Sequence, residues 1–396
     1  MASLGQGAQP VVALEPEPEP EPRPNPNTSA TFDNDNDNDN DNDDDDDDGS
    51  EIRVRYKLSI PTYRTLCGLP RAPERRDVLQ AACQAHEFRT FPIRAEERGL
   101  LRAINEQTGI PYAIRGEALA QPWHKVFLLA QAEMARANGG GGGSGWPAGR
   151  ISGAGRRALA GEARRMRGLL EQVLRCAADV LGSAGRRDGR GVAVALDVLR
   201  SVRAGVWEGA GTGAGAGAGA ELLQVEGIGR AYAGRLAAAG VRTVRRLAGM
   251  EFYHIERVVG RNPPFGHEVL ARVSGFPRLT LRVGRAERCV VLGGRDEKKE
   301  ENLKGKEKEK EMWAVRVRMG YENEKVPSWR ARSPVVTLVM EGADGRLLWF
   351  WRGGVKRLEG GKEIVVGLEG DRGERVRATL ACEEIVGTVV RHEFCI

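Results

Sequence analysis

The sequence predicts a multidomain α+β protein with an α-helical bundle, a helix-hairpin-helix and an antiparallel β-sandwich, in that order. Three observations predict this fold class. Apolar residues recur at spacings of three and four over residues 51–208, which is the period of a buried helix face. A Gly-Ile-Gly turn follows near residue 228, and from residue 278 apolar residues alternate as they do in strands. A disordered acidic N-terminus precedes these three parts.

The chain of 396 residues divides into an acidic start and a basic remainder. Residues 1–50 contain fifteen acidic residues and one arginine, a net charge of −14, whereas the rest contains 59 basic and 40 acidic residues, a net charge of +19. Glu-Pro repeats, Asn-Asp repeats and a run of Asp cannot bury enough apolar area to offset the loss of backbone entropy, so residues 1–50 are predicted to be disordered. The basic body indicates a polyanionic partner, most often a nucleic acid.

Several functional classes are excluded by what the sequence lacks. No apolar run reaches the roughly 18 residues of a membrane span, and no secretory signal is visible. The cysteines are scattered without a C-x-x-C pair, which argues against a disulfide scaffold and a zinc knuckle and favours a reducing compartment, cytosol or nucleus. The sequence contains no phosphate-binding loop, nucleophile elbow or H-E-x-x-H motif. We therefore predict no metal, no catalytic residue and no small-molecule substrate for this chain.

The helical domain is predicted over residues 51–208, with a Gly-rich insert at 139–145. Asp77 is a good N-cap residue, and Pro122 is typical of a first helical turn, so it opens a helix over 122–134. Two longer helices each carry an apolar stripe that is predicted to face the core. The first stripe contains Leu159, Ala163, Met166, Leu170, Val173, Leu174 and Ala177, and the second contains Val192, Leu196, Leu199, Val202 and Val206.

A Gly/Ala linker at 209–220 leads to the predicted helix-hairpin-helix at 221–276. Its two glycines let the backbone turn tightly and approach a phosphate with no side chain in the way. The N-terminus of the helix that follows concentrates partial positive charge, so it is suited to bind phosphate. Such a contact would recognise the DNA backbone and not the bases. The alternative interpretation is a plain helical turn that merely requires glycine.

Four arginines complete the candidate site. Arg230 and Arg235 add positive charge beside the turn, while Arg242 and Arg245 either extend the basic face or belong to a solvated helix face. The predicted DNA-binding residues are Gly227, Ile228, Gly229, Arg230, Arg235, Arg242 and Arg245.

The β-sandwich is predicted over residues 278–396, with a charged insert at 295–311. The expected strands lie around 279–283, 313–317, 335–339, 347–351, 363–368, 376–381 and 385–390. Turn signals separate many of them, as in antiparallel sandwiches. Trp349 and Trp351 are predicted to lie in the core, and Cys382 to be a buried apolar residue.

Three segments resemble the Sec-sixty-three homology region that follows the motor in certain superfamily 2 helicases. They are residues 63–70, 86–97 and 123–131. A further segment, Arg-Asn-Pro-Pro-Phe-Gly-His-Glu-Val-Leu at 261–270, closely resembles the meiotic crossover DNA helicases of fungal type within that group. The resemblance implies a helical bundle, a helix-hairpin-helix and an immunoglobulin-like sandwich. It also implies an ATP-dependent 3′ to 5′ DNA helicase, a role in meiotic crossing-over, and the nucleus.

The motor domains of that family are absent from this sequence, so no ATP or Mg²⁺ site is predicted here, and whether the chain belongs to an enzyme stays open. Our leading interpretation is a DNA-binding accessory region of a meiotic recombination helicase. DNA is the expected partner, with meiotic recombination or mismatch-repair-type proteins as further candidates. Two alternatives remain: a protein-interaction scaffold that recruits recombination factors, and a fragment of an active helicase whose motor is missing from this chain.

Overall fold

A computed structural model describes residues 47–106, 110–135, 152–209, 219–289 and 311–396, all within one compact unit. Most of the predicted disordered tail, the Gly-rich insert at 139–145, most of the linker at 209–220 and nearly all of the charged insert at 295–311 lie outside the described residues.

The described part of the chain before residue 210 contains seven α-helices. They are α1 (Asp47–Arg55), α2 (Ile60–Cys67), α3 (Arg75–Cys83), α4 (Arg98–Asn105), α5 (Pro122–Met134), α6 (Gly153–Gly182) and α7 (Gly189–Ala204). Helix α1 begins inside the segment 1–50 that was predicted as a disordered tail. Helix α5 begins at Pro122, as the sequence predicts.

The long helices α6 and α7 pack against each other and bury both predicted stripes. All twelve stripe residues are at most 5% exposed, including Val206, which lies just beyond α7. The side chains of Ser152 and Asp188 cap these helices by accepting the backbone N–H of Gly155 at 3.1 Å and of Gly191 at 2.7 Å. None of the described helices is long and apolar enough to cross a membrane.

Asp77 stabilises the start of α3 from a different position than predicted. The helix begins at Arg75 with Glu74 as its N-cap, so Asp77 is its third residue. The Asp77 carboxylate accepts the Glu74 backbone N–H at 2.9 Å. The predicted N-cap was wrong because a carboxylate can satisfy the N–H groups at a helix start from within the first turn as well as from the cap.

Residues 220–276, which we call the hairpin region, form one short 3₁₀ helix and four α-helices. They are the 3₁₀ helix Ala220–Gln224, α8 (Arg230–Ala238), α9 (Val244–Ala248), α10 (Phe252–Val259) and α11 (Phe265–Val273). The predicted helix-hairpin-helix would have an α-helix before the Gly-Ile-Gly turn, whereas the structure has the 3₁₀ helix there. Gly219 is left-handed (φ 79°) and Val225 is extended, which leaves only five residues for this element.

Seven strands form two antiparallel sheets after the hairpin region. They are β1 (Leu279–Cys289), β2 (Glu311–Tyr321), β3 (Val335–Gly342), β4 (Leu347–Gly354), β5 (Lys362–Gly370), β6 (Arg375–Cys382) and β7 (Val390–Cys395). The strand orders are β1-β2-β5 and β4-β3-β6-β7. The inward side chains of both sheets share one core with the hairpin region. Trp349 and Trp351 are half-buried against this core, and Cys382 is fully buried, which raises the pKa of its thiol.

The last strand is displaced from its predicted position. Residues 385–390 were predicted as a strand, whereas only Val390 belongs to β7. Gly387 turns the chain with φ 82°, and the Thr388 hydroxyl accepts the Cys382 backbone N–H at 3.2 Å. The apolar residues of this segment are buried in a turn, and burial alone does not distinguish a turn from a strand in the sequence.

Ion pairs around a buried carboxylate join α6 to the sheet β4-β3-β6-β7. Glu383 follows β6, has a fully buried side chain, and lies 2.7 Å from Arg175 of α6 and 2.6 Å from Arg352 of β4. Arg352 in turn donates to Asp179 of α6 at 2.8 Å. Each acid is therefore matched by a guanidinium from another element, and this fixes how α6 lies against the sheet.

We predict that Glu383→Gln lowers the free energy of unfolding by about 1.5–3 kcal/mol, because Arg175 and Arg352 lose a charged partner while Arg352 keeps Asp179. Urea unfolding measures the change. The matched control is Glu363→Gln, which removes an acid that is 49% exposed and 3.3 Å from Arg316. That variant should lose less than about 1 kcal/mol. Equal losses in the two variants would contradict a structural role for Glu383.

Candidate nucleic-acid interface

The Gly-Ile-Gly turn connects the 3₁₀ helix to α8. Gly227 has φ 87°, a left-handed conformation in which a side chain would be strained. Ile228 is 4% exposed and anchors the turn in the core. Gly229 has φ −85° and ψ 175°, and a Cβ there would meet nothing within 4 Å. The tight turn therefore requires only the first glycine, while the second leaves open space at the start of α8.

Helix α8 begins at Arg230, directly after Gly229. The first N–H groups of a helix have no partner within the helix and carry partial positive charge. Gly229 is the N-cap of α8 and has no side chain with which to accept them. An anion placed at this position would accept backbone N–H groups and would lie beside Arg230, which is half-buried.

The N-termini of two neighbouring helices are each filled by a carboxylate of this chain. Glu221 accepts the backbone N–H of Val244, the first residue of α9, at 2.7 Å. Glu256 accepts the backbone N–H of Gly266, the second residue of α11, at 2.9 Å. Both glutamates are 6% exposed. The N-cap of α9, Thr243, also accepts the backbone N–H of Arg246 at 3.1 Å, whereas the N-cap of α8 is a glycine.

The other predicted arginines have distinct surroundings. The Arg235 guanidinium donates to the backbone carbonyl of Val259 at the end of α10, so it satisfies a helix C-terminus, a role the sequence did not predict. Arg242 is half-buried, and its Nε has no hydrogen-bond partner among the described residues. Arg245 is 70% exposed and lies 3.7 Å from Glu322, a weak surface pair.

Arg272 belongs to this interface and was missed in the sequence. Its guanidinium donates to the Glu226 carbonyl at 3.2 Å, and its Nη1 lies 2.6 Å from where a Cβ of Gly227 would be. The side chain therefore lies against the turn from α11. Nothing in the sequence near Arg272 indicates this contact, because its partner is 46 positions away. Glu221 and Glu256 were missed for the same reason.

Glu221 is a buried titratable group of this region. Desolvation raises its pKa to about 7, the nearby charge of Glu208 raises it as well, and the Val244 N–H opposes both effects. Gly387 packs against the carboxylate so closely that a Cβ there would lie 2.4 Å from it. The buried carboxylate therefore changes protonation near neutral pH while it holds the start of α9.

A family model described as the Sec63 Brl domain matches residues 47–333. The chain belongs to the Sec63 Brl domain family. The matched part of this Brl domain begins with α1, contains the hairpin region, and ends just before β3. A comparison with curated proteins finds no match. Among the described residues of the Brl domain and the sheets, no group of three or more His, Cys, Asp or Glu could hold a metal ion.

We predict that Glu221→Gln flattens the pH dependence of stability. The pKa of Glu221 is about 7 in the folded protein and about 4.5 in the unfolded chain, so the folded state binds this proton more tightly. Wild-type stability should therefore fall as the pH rises from about 4.5 to about 7. Glutamine keeps an acceptor for the Val244 N–H and does not ionise, so it removes this fall.

Urea unfolding at several pH values measures the effect. Glu226→Gln is the matched control, because it makes the same change at an exposed position of the hairpin region. It should leave the pH dependence as in the wild type. Parallel curves for wild type and Glu221→Gln would show that the carboxylate does not titrate as inferred.

Proposed function

We propose that this chain is a DNA-binding accessory region of a meiotic recombination helicase, and that it binds the DNA backbone without sequence preference through the Gly227–Gly229 turn. Membership of the Brl domain family supports the link to a helicase, because these domains are found in helicase-associated regions. The resemblance of residues 261–270 to meiotic crossover helicases supports the meiotic role, which implies the nucleus as compartment. The proposal places no ATP or Mg²⁺ site in this chain.

The start of α8 is the observation that carries the proposal. The fold supplies its own carboxylates to α9 and α11 but places Gly229 before α8. A DNA phosphate at α8 would accept backbone N–H groups as Glu221 and Glu256 do at the other two helices. Helix N-termini preceded by glycine-rich turns are suited to phosphate for this reason.

The charge of the hairpin region supports the same assignment. Residues 220–276 contain eight arginines and five glutamates, with no lysine or aspartate. Two of the glutamates, Glu221 and Glu256, are buried as internal caps, so the surface is more basic than the composition suggests. A basic surface around a phosphate site strengthens binding to the backbone of any sequence.

The sheets support the immunoglobulin-like assignment of the sandwich. In that fold the first, second and fifth strands share one sheet, and the third, sixth and seventh share the other. The orders β1-β2-β5 and β4-β3-β6-β7 have this grouping, with β4 beside β3 in the second sheet.

We predict a graded loss of DNA binding across three substitutions of Gly229. Its backbone angles suit any residue, and a Cβ has open space, so all three variants should fold. Gly229→Ala leaves the N–H groups of α8 accessible, Gly229→Asn caps them without charge, and Gly229→Asp caps them with a negative charge. Affinity should fall in the order Ala, Asn, Asp, with Asp about tenfold or more below Ala.

Fluorescence anisotropy with labelled single-stranded and duplex DNA over a range of salt concentrations measures this series. The salt dependence of the Asp variant should weaken by about 0.7–0.9 in log–log slope for each phosphate that the variant no longer binds. If Asp and Ala bind DNA equally at every salt concentration, α8 does not bind phosphate, and the protein-scaffold interpretation is favoured instead.

A further inference from the structure

A groove of about 720 Å³ opens beside the Gly227 turn, between the hairpin region and the loop that joins β2 to β3. One wall is formed by residues 223–226 and the end of α11, and the other by residues 325–331. Its lining contains three basic residues, Arg272, Lys325 and Arg330, and one acidic residue, Glu226. Arg272 contacts both the turn and the groove, so the two surfaces are continuous.

The backbone carbonyls of the three residues that follow α11 are paired with the β2–β3 loop. The Asn323 side chain donates to the carbonyls of Ser274 at 2.9 Å and Phe276 at 2.8 Å. The Ser328 backbone N–H donates to the carbonyl of Gly275 at 3.1 Å. These three carbonyls belong to the residues that follow α11, and the β2–β3 loop occupies each of them. They are therefore not left unpaired beside the basic side chains of the groove.

A tight turn places a stacked arginine at the edge of the groove. Trp329 and Arg332 exchange two backbone hydrogen bonds of 2.9 and 3.0 Å across Arg330 and Ala331. Both central residues are left-handed, with φ 50° and 58°, a conformation that costs non-glycine residues about 1–2 kcal/mol each. The Arg330 guanidinium carbon lies 4.1 Å from the centroid of the Trp329 ring. This cation–π contact holds the Arg330 guanidinium over the ring at the edge of the groove.

We propose that this groove binds a single strand of nucleic acid that continues from the Gly227–Gly229 turn, so the inference rests on the proposed function. The basic residues Arg272, Lys325 and Arg330 would contact successive phosphates. An unpaired base can stack on a fixed guanidinium plane, which a base inside a duplex cannot do. A single strand is thus the ligand whose backbone and bases both match the groove.

The test uses the full chain and a labelled oligothymidylate of about sixteen nucleotides. Arg330→Asn removes the charge while asparagine tolerates the left-handed backbone, and Lys325→Gln removes the second exposed cation. Each variant should weaken binding about threefold, and the double variant about tenfold. Arg372→Asn is the matched control, because it removes an exposed arginine from the turn between β5 and β6. In the β2–β5 pairing Glu311 lies opposite Gly370, so this turn is at the end of β2 that is far from the β2–β3 loop.

The outcomes separate this inference from the proposed function. If Gly229→Asp weakens binding but Arg330→Asn and Lys325→Gln behave like Arg372→Asn, the hairpin site stands and the groove assignment is overturned. If the groove variants weaken binding and Gly229→Asp does not, the groove stands and the α8 site is wrong. If the groove variants lose binding of a labelled polyglutamate peptide and keep full affinity for the oligothymidylate, the partner is an acidic protein and the nucleic-acid assignment is overturned.

Discussion

The buried carboxylate of Glu383, held between Arg175 of α6 and Arg352 of β4, fixes the helical part against the second sheet. It lies in the connection between β6 and β7, which also contacts other elements. The carbonyl of Cys382 accepts from Arg200 of α7 at 2.6 Å. The backbone of Val386 exchanges hydrogen bonds of 2.8 and 3.1 Å with the Gln224 side chain in the hairpin region. One connection of a few residues thus joins helices, hairpin and sheet.

Such a connection is costly unless every buried charge has a partner, because each ion loses its hydration on burial. The acids here are matched one by one: Glu383 by Arg175 and Arg352, and the next residue, Glu384, by Arg203 at 2.6 Å. Desolvation nevertheless raises the pKa of Glu384, with Arg203 opposing it. Each of these pairs joins residues of different elements, so together they hold α6 and α7 against the sheet.

Sequence reasoning located the regular elements and the turn but not the contacts between them. The stripes of α6 and α7 and the first six strands follow from apolar periodicity, which is a local property. The sequence placed the last strand too early because Ile385 and Val386 are apolar and buried but lie in a turn. Their apolar character therefore does not reflect the alternation of a strand. Glu221, Glu256 and Arg272 could not be predicted as parts of the interface. Their partners lie 23, 10 and 46 positions away, and a glutamate in sequence carries no sign that it will be buried as a helix cap.

Glu221 and Glu256 are buried, so the surface of the hairpin region is more basic than its composition of eight arginines and five glutamates suggests. The helix starts at α9 and α11 need anions for stability, and the chain supplies them from inside, where they add little field at the surface. Arg245 stays exposed at the surface, and Arg272 joins the turn to the neighbouring groove. Backbone N–H groups and guanidinium groups recognise phosphate by charge and geometry alone. Under the proposed function, α8 is the helix start that takes an external anion, because its N-cap Gly229 brings no acceptor side chain.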